Sequence, residues 1–151
     1  MIDNKFKKHW KHYLLQILLA TLILLFITLI FGKKRVVTIS AMGATTFILF
    51  AMPNSILAKT KNVIGGHLVG LACGGLFYFT SLPFFMEYSL AVGIAIFLMV
   101  ILNVEHPPAA GTALAVAINE VSLEIFVTIM ASAVILSQFR WYLRKYLKDL
   151  V

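Results

Sequence analysis

Apolar residues in this chain fall in long runs separated by short basic or turn-forming clusters. A helix that crosses a bilayer needs about 20 mostly apolar residues. Six runs come into question: Tyr13–Phe31, Val36–Ala58, Val63–Phe85, Tyr88–Val104, Pro107–Ile118 and Val121–Phe139. The first is uniformly large and aliphatic. The second is interrupted by Ser40, Gly43, Thr45, Thr46, Pro53 and Asn54. The third opens on Gly65-Gly66-His67 and carries Gly70, Gly74 and Gly75. The fifth has only 12 residues and is expected as a half-helix or a shortened one packed among the others. The pattern predicts an all-α fold: a polytopic membrane helical bundle of four to six membrane segments, with one or two broken or half helices.

Composition removes the soluble alternatives. Of 151 residues, 61% are hydrophobic and 13% charged, and mean hydropathy is +0.95. Soluble domains run at about 45–50% apolar and about 25% charged. A water-facing surface cannot be built from what remains, which excludes a soluble enzyme, a disordered tail and a disulfide-stapled secreted module. Residues 1–151 read as a single membrane unit, with a basic N-terminus (1–12), a bundle (13–139) and a basic aromatic tail (140–151). Tyr13–Phe31 is too long for a signal-peptide core, and Gly32-Lys33-Lys34-Arg35 offers no cleavage site, so the first run is expected as a retained helix. Cys73 is alone, so no internal disulfide forms.

Thirteen Lys and Arg against six Asp and Glu leave a net charge of +7. These basic residues cluster between the apolar runs, as orientation signals do, and nucleic acid is not an expected partner. If all six runs cross, Lys5, Lys7, Lys8, Lys11, Lys59, Lys61, Arg140, Arg144, Lys145 and Lys148 share one side, and only Lys33, Lys34 and Arg35 the other. If the second and fifth runs dip and return, the split is eight to five. Both arrangements put the two termini in the cytoplasm, in what is expected to be a bacterial inner membrane; the charge bias favours six. Six crossings divide at Glu87 into two sets of three, so the second set would be inserted upside down. Ala41-Met42-Gly43-Ala44-Thr45 and Ala109-Ala110-Gly111-Thr112-Ala113 are faintly alike, as in an inverted repeat, and transporters of that plan bind their cargo at paired broken helices. Small residues common to membrane helices would give the same likeness by chance.

Chemistry concentrates in three stretches. In Asn103-Val104-Glu105-His106-Pro107-Pro108-Ala109-Ala110-Gly111-Thr112, a residue before proline leaves helical geometry and proline suits the first position of a new helix. A helix is expected to restart at Pro107 or Pro108, near the bilayer midplane, with free amides on Ala109, Ala110 and Gly111. An anion would satisfy them with help from the helix dipole and the Thr112 hydroxyl; a kink satisfied by neighbours or water is the alternative. In the second stretch, Ser40 is a good N-cap type, and Gly43, Thr45 and Thr46 would face the first stretch or merely pack closely, while Pro53-Asn54 breaks the element. In the third, Asn62 leads into Gly66-x-x-x-Gly70-x-x-x-Gly74, a spacing that lets helices approach. That smooth face makes self-association into a homo-oligomer an expectation. His67 lies inside an apolar run, where ionisable groups are costly and face the bundle interior or a cavity. It would donate to an anion, move a proton, or simply bond a backbone carbonyl. His67, His106 and Glu105 also have zinc-ligand chemistry but lack ligand spacing. No hydrolase elbow, phosphate loop or dinucleotide pattern is present, and no cofactor or metal is expected.

Gly43-Ala44-Thr45, Phe50-Ala51-Met52-Pro53, Asn62-Val63-Ile64-Gly65-Gly66-His67 and His106-Pro107-Pro108 with Gly111-Thr112-Ala113-Leu114, in this order from Ser40 to Ala115, resemble the HPP family of small integral membrane proteins. The resemblance implies a compact bundle, usually described as four spanning helices, and, for plant and cyanobacterial members, nitrite transport across chloroplast or cell membranes. Some members carry regulatory CBS domains, which have no counterpart in these residues. Glu105 departs from the pattern by placing an acid beside the presumed anion site; ionised and lining the path it would repel nitrite, protonated or turned to the cytoplasm it would not. The functional expectation is a channel or transporter for a small monovalent anion, nitrite first, held by Ser40, Gly43, Thr45, Thr46, Asn54, Asn62, His67 and His106 through Thr112. The alternatives are a membrane-embedded His/Glu metalloenzyme and a scaffold or sensor module that transports nothing.

Overall fold

A computed structural model describes residues 4–31, 36–119 and 121–151, with side chains described from His9 and, beyond the first loop, from Ser40. Lys33, Lys34 and Arg35, the minority side of the charge count, lie outside the described residues. Six helices follow in order: α1 (Asn4–Phe31), α2 (Val36–Ala51), α3 (Thr60–Tyr78), α4 (Phe84–Ile101), α5 (Pro107–Ile118) and α6 (Leu123–Leu143), with a 3-10 turn at Ile56–Ala58 between α2 and α3. Among the described residues there is no strand.

Local chemistry sets the boundaries and corrects several expected ones. α1 begins nine residues before Tyr13, with a kink at His9 (φ −126°, ψ 19°). α2 starts at Val36, so Ser40 is a helix-interior residue and not an N-cap. α2 ends at Ala51 and not Ala58, because Pro53 cannot continue its ladder. α3 stops at Tyr78, seven residues short of the apolar run, and α4 restarts directly after Pro83. Asn103 (φ 54°) turns the chain after α4 in the left-handed conformation that asparagine tolerates. His106 is extended (φ −145°, ψ 95°) and α5 opens on the two prolines, as expected. The Ser122 hydroxyl caps α6 by accepting from the Ile125 amide at 3.3 Å, and α6 runs on to Leu143, into the aromatic tail.

Contacts near the helix ends fix their directions. Gln16 of α1 donates to the carbonyls of Phe50 (2.5 Å) and Lys148 (2.9 Å) and accepts from the Lys148 amide (2.9 Å). Tyr13 donates to the Leu150 carbonyl, Arg140 of α6 to the Pro53 carbonyl, and Asn54 to the Asp149 carboxylate. Asn62 of α3 donates to the Glu105 carbonyl ahead of α5. The starts of α1, α3 and α5 and the ends of α2 and α6 therefore share one end of the bundle with the C-terminal tail. At the opposite end, Phe77 of α3, Ala91 of α4 and Ala117 of α5 pack together. Each helix thus runs against the one before it. α5 is a shortened helix that links the two ends, about 18 Å long at 1.5 Å per residue; it does not dip and return.

α1 from His9, α4 and α6 are long and apolar enough to cross a membrane, whereas the apolar helices Ser40–Ala51 and Pro107–Ile118 are shorter. α1 leaves Leu18, Leu22, Leu25, Phe26 and Leu29 more than half exposed, which hydrocarbon would cover at no cost. Gln16, by contrast, is fully buried. Gln16→Leu should deprive three backbone groups of this partner, the Phe50 carbonyl at the end of α2 and the carbonyl and amide of Lys148 in the tail, lowering stability by about 1–3 kcal/mol. The tail should then be cut faster by trypsin at Arg144, Lys145 and Lys148, which limited proteolysis in detergent will show.

The main helix contacts are α1–α2, α1–α6, α2–α5, α2–α6, α3–α4, α3–α5, α3–α6 and α4–α5. Exchanging α1 with α4, α2 with α5 and α3 with α6 maps this set onto itself, and each helix runs antiparallel to its counterpart. That is the neighbour pattern of an inverted repeat, and the faint likeness of residues 41–45 to 109–113 falls on the counterparts α2 and α5. Packing is uneven across the two-fold: α3–α4 is extensive and α1–α6 slight.

Candidate functional site

Three inner helices supply the polar centre. α3 and α5 lie parallel and close, because Gly66, Gly70 and Gly74 present no side chain to Ala109, Thr112, Ala113 and Val116. Any Cβ at Gly70 or Gly74 would strike the backbone carbonyl of Ala109 or Ala113. This approach brings His67 within reach of Thr112, and α2 closes the third side with Thr45. All four of Thr45, His67, His106 and Thr112 are fully buried. Thr45, His67 and Thr112 each lie within about two residues of the middle of their own helices.

The hydrogen bonds form one continuous chain. Thr112 Oγ1 is 2.8 Å from His67 Nδ1, His67 Nε2 is 3.1 Å from Thr45 Oγ1, Thr45 Oγ1 is 3.1 Å from His106 Nε2, and His106 Nδ1 is 3.0 Å from the Leu57 carbonyl. The two imidazoles stand edge to face with centroids 5.1 Å apart. A carbonyl only accepts, so His106 carries its hydrogen on Nδ1 and its bare Nε2 accepts from the Thr45 hydroxyl. Thr45 then accepts from His67 Nε2–H, leaving His67 Nδ1 to accept from Thr112. With both rings neutral and the Thr45 hydrogen turned to His106, each of the four ring nitrogens has one partner and both tautomers follow. Thr45 Oγ1 also lies 2.9 Å from the Ala41 carbonyl, a third position for its single hydrogen.

The α5 N-terminus corrects the expected anion seat. Of the four amides a helix start leaves unpartnered, those of Pro107 and Pro108 do not exist, that of Ala109 donates to the His106 carbonyl at 2.8 Å, and the fourth belongs to His106 itself, ahead of the helix. Ala110 and Gly111 lie beyond those four. The extended backbone of His106 is the physical reason, since it folds that carbonyl over the first turn. Polar side chains at mid-helix, rather than amides at a helix start, form the centre.

The other expected residues spread around it. Ser40, Pro107, Pro108 and Gly111 line an open groove of about 590 Å³ between α2 and α5, with Ala41, Ala44, Phe47, Ile48 and Leu114. Pro108 and Ala109 are buried, Ala110 partly so. Gly43 is half-buried with open space around it. Thr46 donates to its own helix at Met42 and borders a separate cavity beside Gln16. Asn54 is at the surface with Asp149, away from the centre. Asn62 is buried; its Nδ2 holds the Glu105 carbonyl at 3.0 Å and its Oδ1 has no partner. Glu105 is half-buried next to His106. Among the described residues, no three His, Cys, Asp or Glu side chains come together. Gln16 escaped notice in the sequence, although a lone amide in a large aliphatic run is the signal of a buried polar contact.

The profile of the HPP transmembrane region matches residues 4–148. The chain belongs to the HPP transmembrane family. It is similar to two transmembrane proteins of Dictyostelium discoideum: 35% identical over 82 residues (52% of this chain, 29% of that protein) and 29% identical over 86 residues (54% and 28%). This HPP protein therefore spans less than a third of the curated relatives it matches. No solved structure matches it. Its family, its apolar helices and its composition make it an integral membrane protein.

Proposed function

We propose that this HPP protein is a transporter for a small monovalent anion, with nitrite as the first cargo to try. The single observation behind this reading is the buried Thr45–His67–His106–Thr112 chain, built where the two inverted halves meet. α2 and α3 of the first half supply Thr45 and His67, and the start and middle of α5 in the second half supply His106 and Thr112. Polar groups that are costly in a membrane interior belong where cargo passes, and inverted halves rocking around such a site give alternating access. The conformation described here is the closed one, in which the four side chains satisfy one another. The groove at Ser40, Pro107, Pro108 and Gly111 is the approach to them from the α2–α5 side. The end bearing the tail faces the cytoplasm, by its excess of Lys and Arg.

Purified protein in liposomes should speed nitrite uptake above that of empty vesicles. His106→Ala should lower this excess about tenfold or more, the loss of roughly one charge-strength hydrogen bond. Equal uptake with and without protein would end the reading.

A further inference from the structure

An anion entering a bundle of low dielectric needs a countercharge, and the buried polar residues among the described ones are Gln16, Thr45, Thr46, Asn62, His67, His106, Thr112, Ser132 and Ser137. Only the two histidines in that set can become positive. They are also the two groups joined by a chain of hydroxyls and imidazoles, side chains that can each accept and donate. We propose that the anion crosses together with one proton, passed along Thr112, His67 and Thr45 and carried on His106. This inference rests on the transport reading above and adds the ion that accompanies the cargo.

The proton balance follows from the bonds already described. Once the halves part and water reaches it, Thr112 Oγ1 takes a proton from hydronium and passes its own to His67 Nδ1. His67 passes its Nε2 proton to Thr45 Oγ1, and Thr45 passes its own to His106 Nε2. Four O–H or N–H bonds break, the hydronium's included, and four form, so one proton has entered, a water molecule is left behind and His106 is an imidazolium. Every group remains bonded afterwards, with the chain reversed: His106 Nε2–H donates to Thr45, Thr45 to His67 Nε2, and His67 Nδ1–H to Thr112. The Ala41 carbonyl, 2.9 Å from Thr45 Oγ1, gives the hydroxyl hydrogen a resting point as it turns. Release is the loss of the Nδ1 proton of His106 to water that replaces the Leu57 carbonyl once the halves have shifted.

The surrounding elements supply no competing countercharge. α2 has no ionisable side chain between Ser40 and Ala51, and α5 has none. α3 carries Lys61, exposed at its start, and Cys73, packed against Ala95, Met99, Ala109 and Ala113. α4 carries Glu87 at its far end, and α6 Glu124 at its start and Arg140, which is held by the Pro53 carbonyl. Lys59 is exposed, and Glu105 adjoins His106 with its backbone tied to Asn62. A charged His106 is thus paired with the anion itself, and the loaded site is neutral overall. Neutral cargo avoids the several kcal/mol that burying one unpaired ion would cost.

The test is proteoliposomes holding a pH-sensitive dye, with the membrane potential set by a potassium gradient and ionophore. Nitrite and nitrate are both used as probes, because nitrous acid crosses lipid unaided and nitrate has no such neutral form. The expected result is protein-dependent acidification of about one proton per anion taken up, at a rate that does not change with imposed potential. Thr45→Val should cut uptake and acidification together, by about tenfold or more, and Thr45→Ser should restore a substantial part of both; elution volume and thermal unfolding in detergent confirm that each variant is folded. Protein-dependent uptake without acidification, or uptake driven by an inside-positive potential, overturns proton coupling and leaves anion transport standing. Absence of any protein-dependent uptake overturns the transport reading and the coupling with it. The wild-type measurement decides between these even if Thr45→Val does not fold.

Discussion

Gly70→Ala should destabilise the protein by about 1–3 kcal/mol, the usual penalty for forcing extra atoms into a packed core. The new methyl meets the carbonyl oxygen of Ala109, which belongs to helix backbone and cannot swing aside. α3 and α5 must separate, and the whole stripe from Gly66 to Gly74 feels it. Because His67 and Thr112 are joined across this same contact at 2.8 Å, the variant should lose the proposed anion transport as well as stability. Gly75→Ala, five residues along the same helix, is the control. A Cβ there meets nothing within 4 Å, so the better helix propensity of alanine should leave stability unchanged or raise it by up to about 1 kcal/mol. Thermal unfolding in detergent should separate the two variants clearly. Matching transition temperatures would show that α3 and α5 are not in backbone contact.

His67→Ala carries the second large effect. The ring is fully buried and bonded at both nitrogens. Its removal leaves a cavity and deprives the hydroxyls of Thr45 and Thr112 of a partner, a combined loss of about 3 kcal/mol or more. Thr112→Val, which deletes one bond of the chain while keeping the shape, should cost about 1–2 kcal/mol. The two losses should not add: in the double variant no nitrogen is left waiting for the missing hydroxyl, and a coupling of about 1 kcal/mol is expected from a mutant cycle. Asn54→Ala, at the exposed contact with Asp149, should change stability by less than about 0.5 kcal/mol. Losses at His67 and Thr112 that simply sum would mean the chain is not connected as described.

The difference between these sites marks how far the residues could be read in advance. The glycine stripe was legible as a face without side chains, because of its spacing of four; that α5 of the same chain covers it, where a second copy was expected, was not. The start of α5 was legible because two prolines permit little else. The anion seat drawn from that start was not, since the fate of the Ala109 amide depends on where the His106 carbonyl points, and no pattern of residue types encodes that angle. His67 and His106 were both candidates, but 39 positions separate them and nothing local says that one threonine bridges them. Gln16 was missed because its partners, Phe50 and Lys148, lie at the ends of other helices.

The order of apolar runs, set by the need to satisfy every backbone group within hydrocarbon, already determined an all-helical membrane bundle and the shortness of α5. Those are properties of single segments against a uniform solvent. Tertiary structure alone decided that the second and fifth helices pass from end to end, that the neighbour pattern is two-fold, and that Thr45, His67, His106 and Thr112 share one chain of hydrogen bonds. Each of these depends on which helix faces lie against one another, and helices of nearly uniform apolarity carry little information about their own facing.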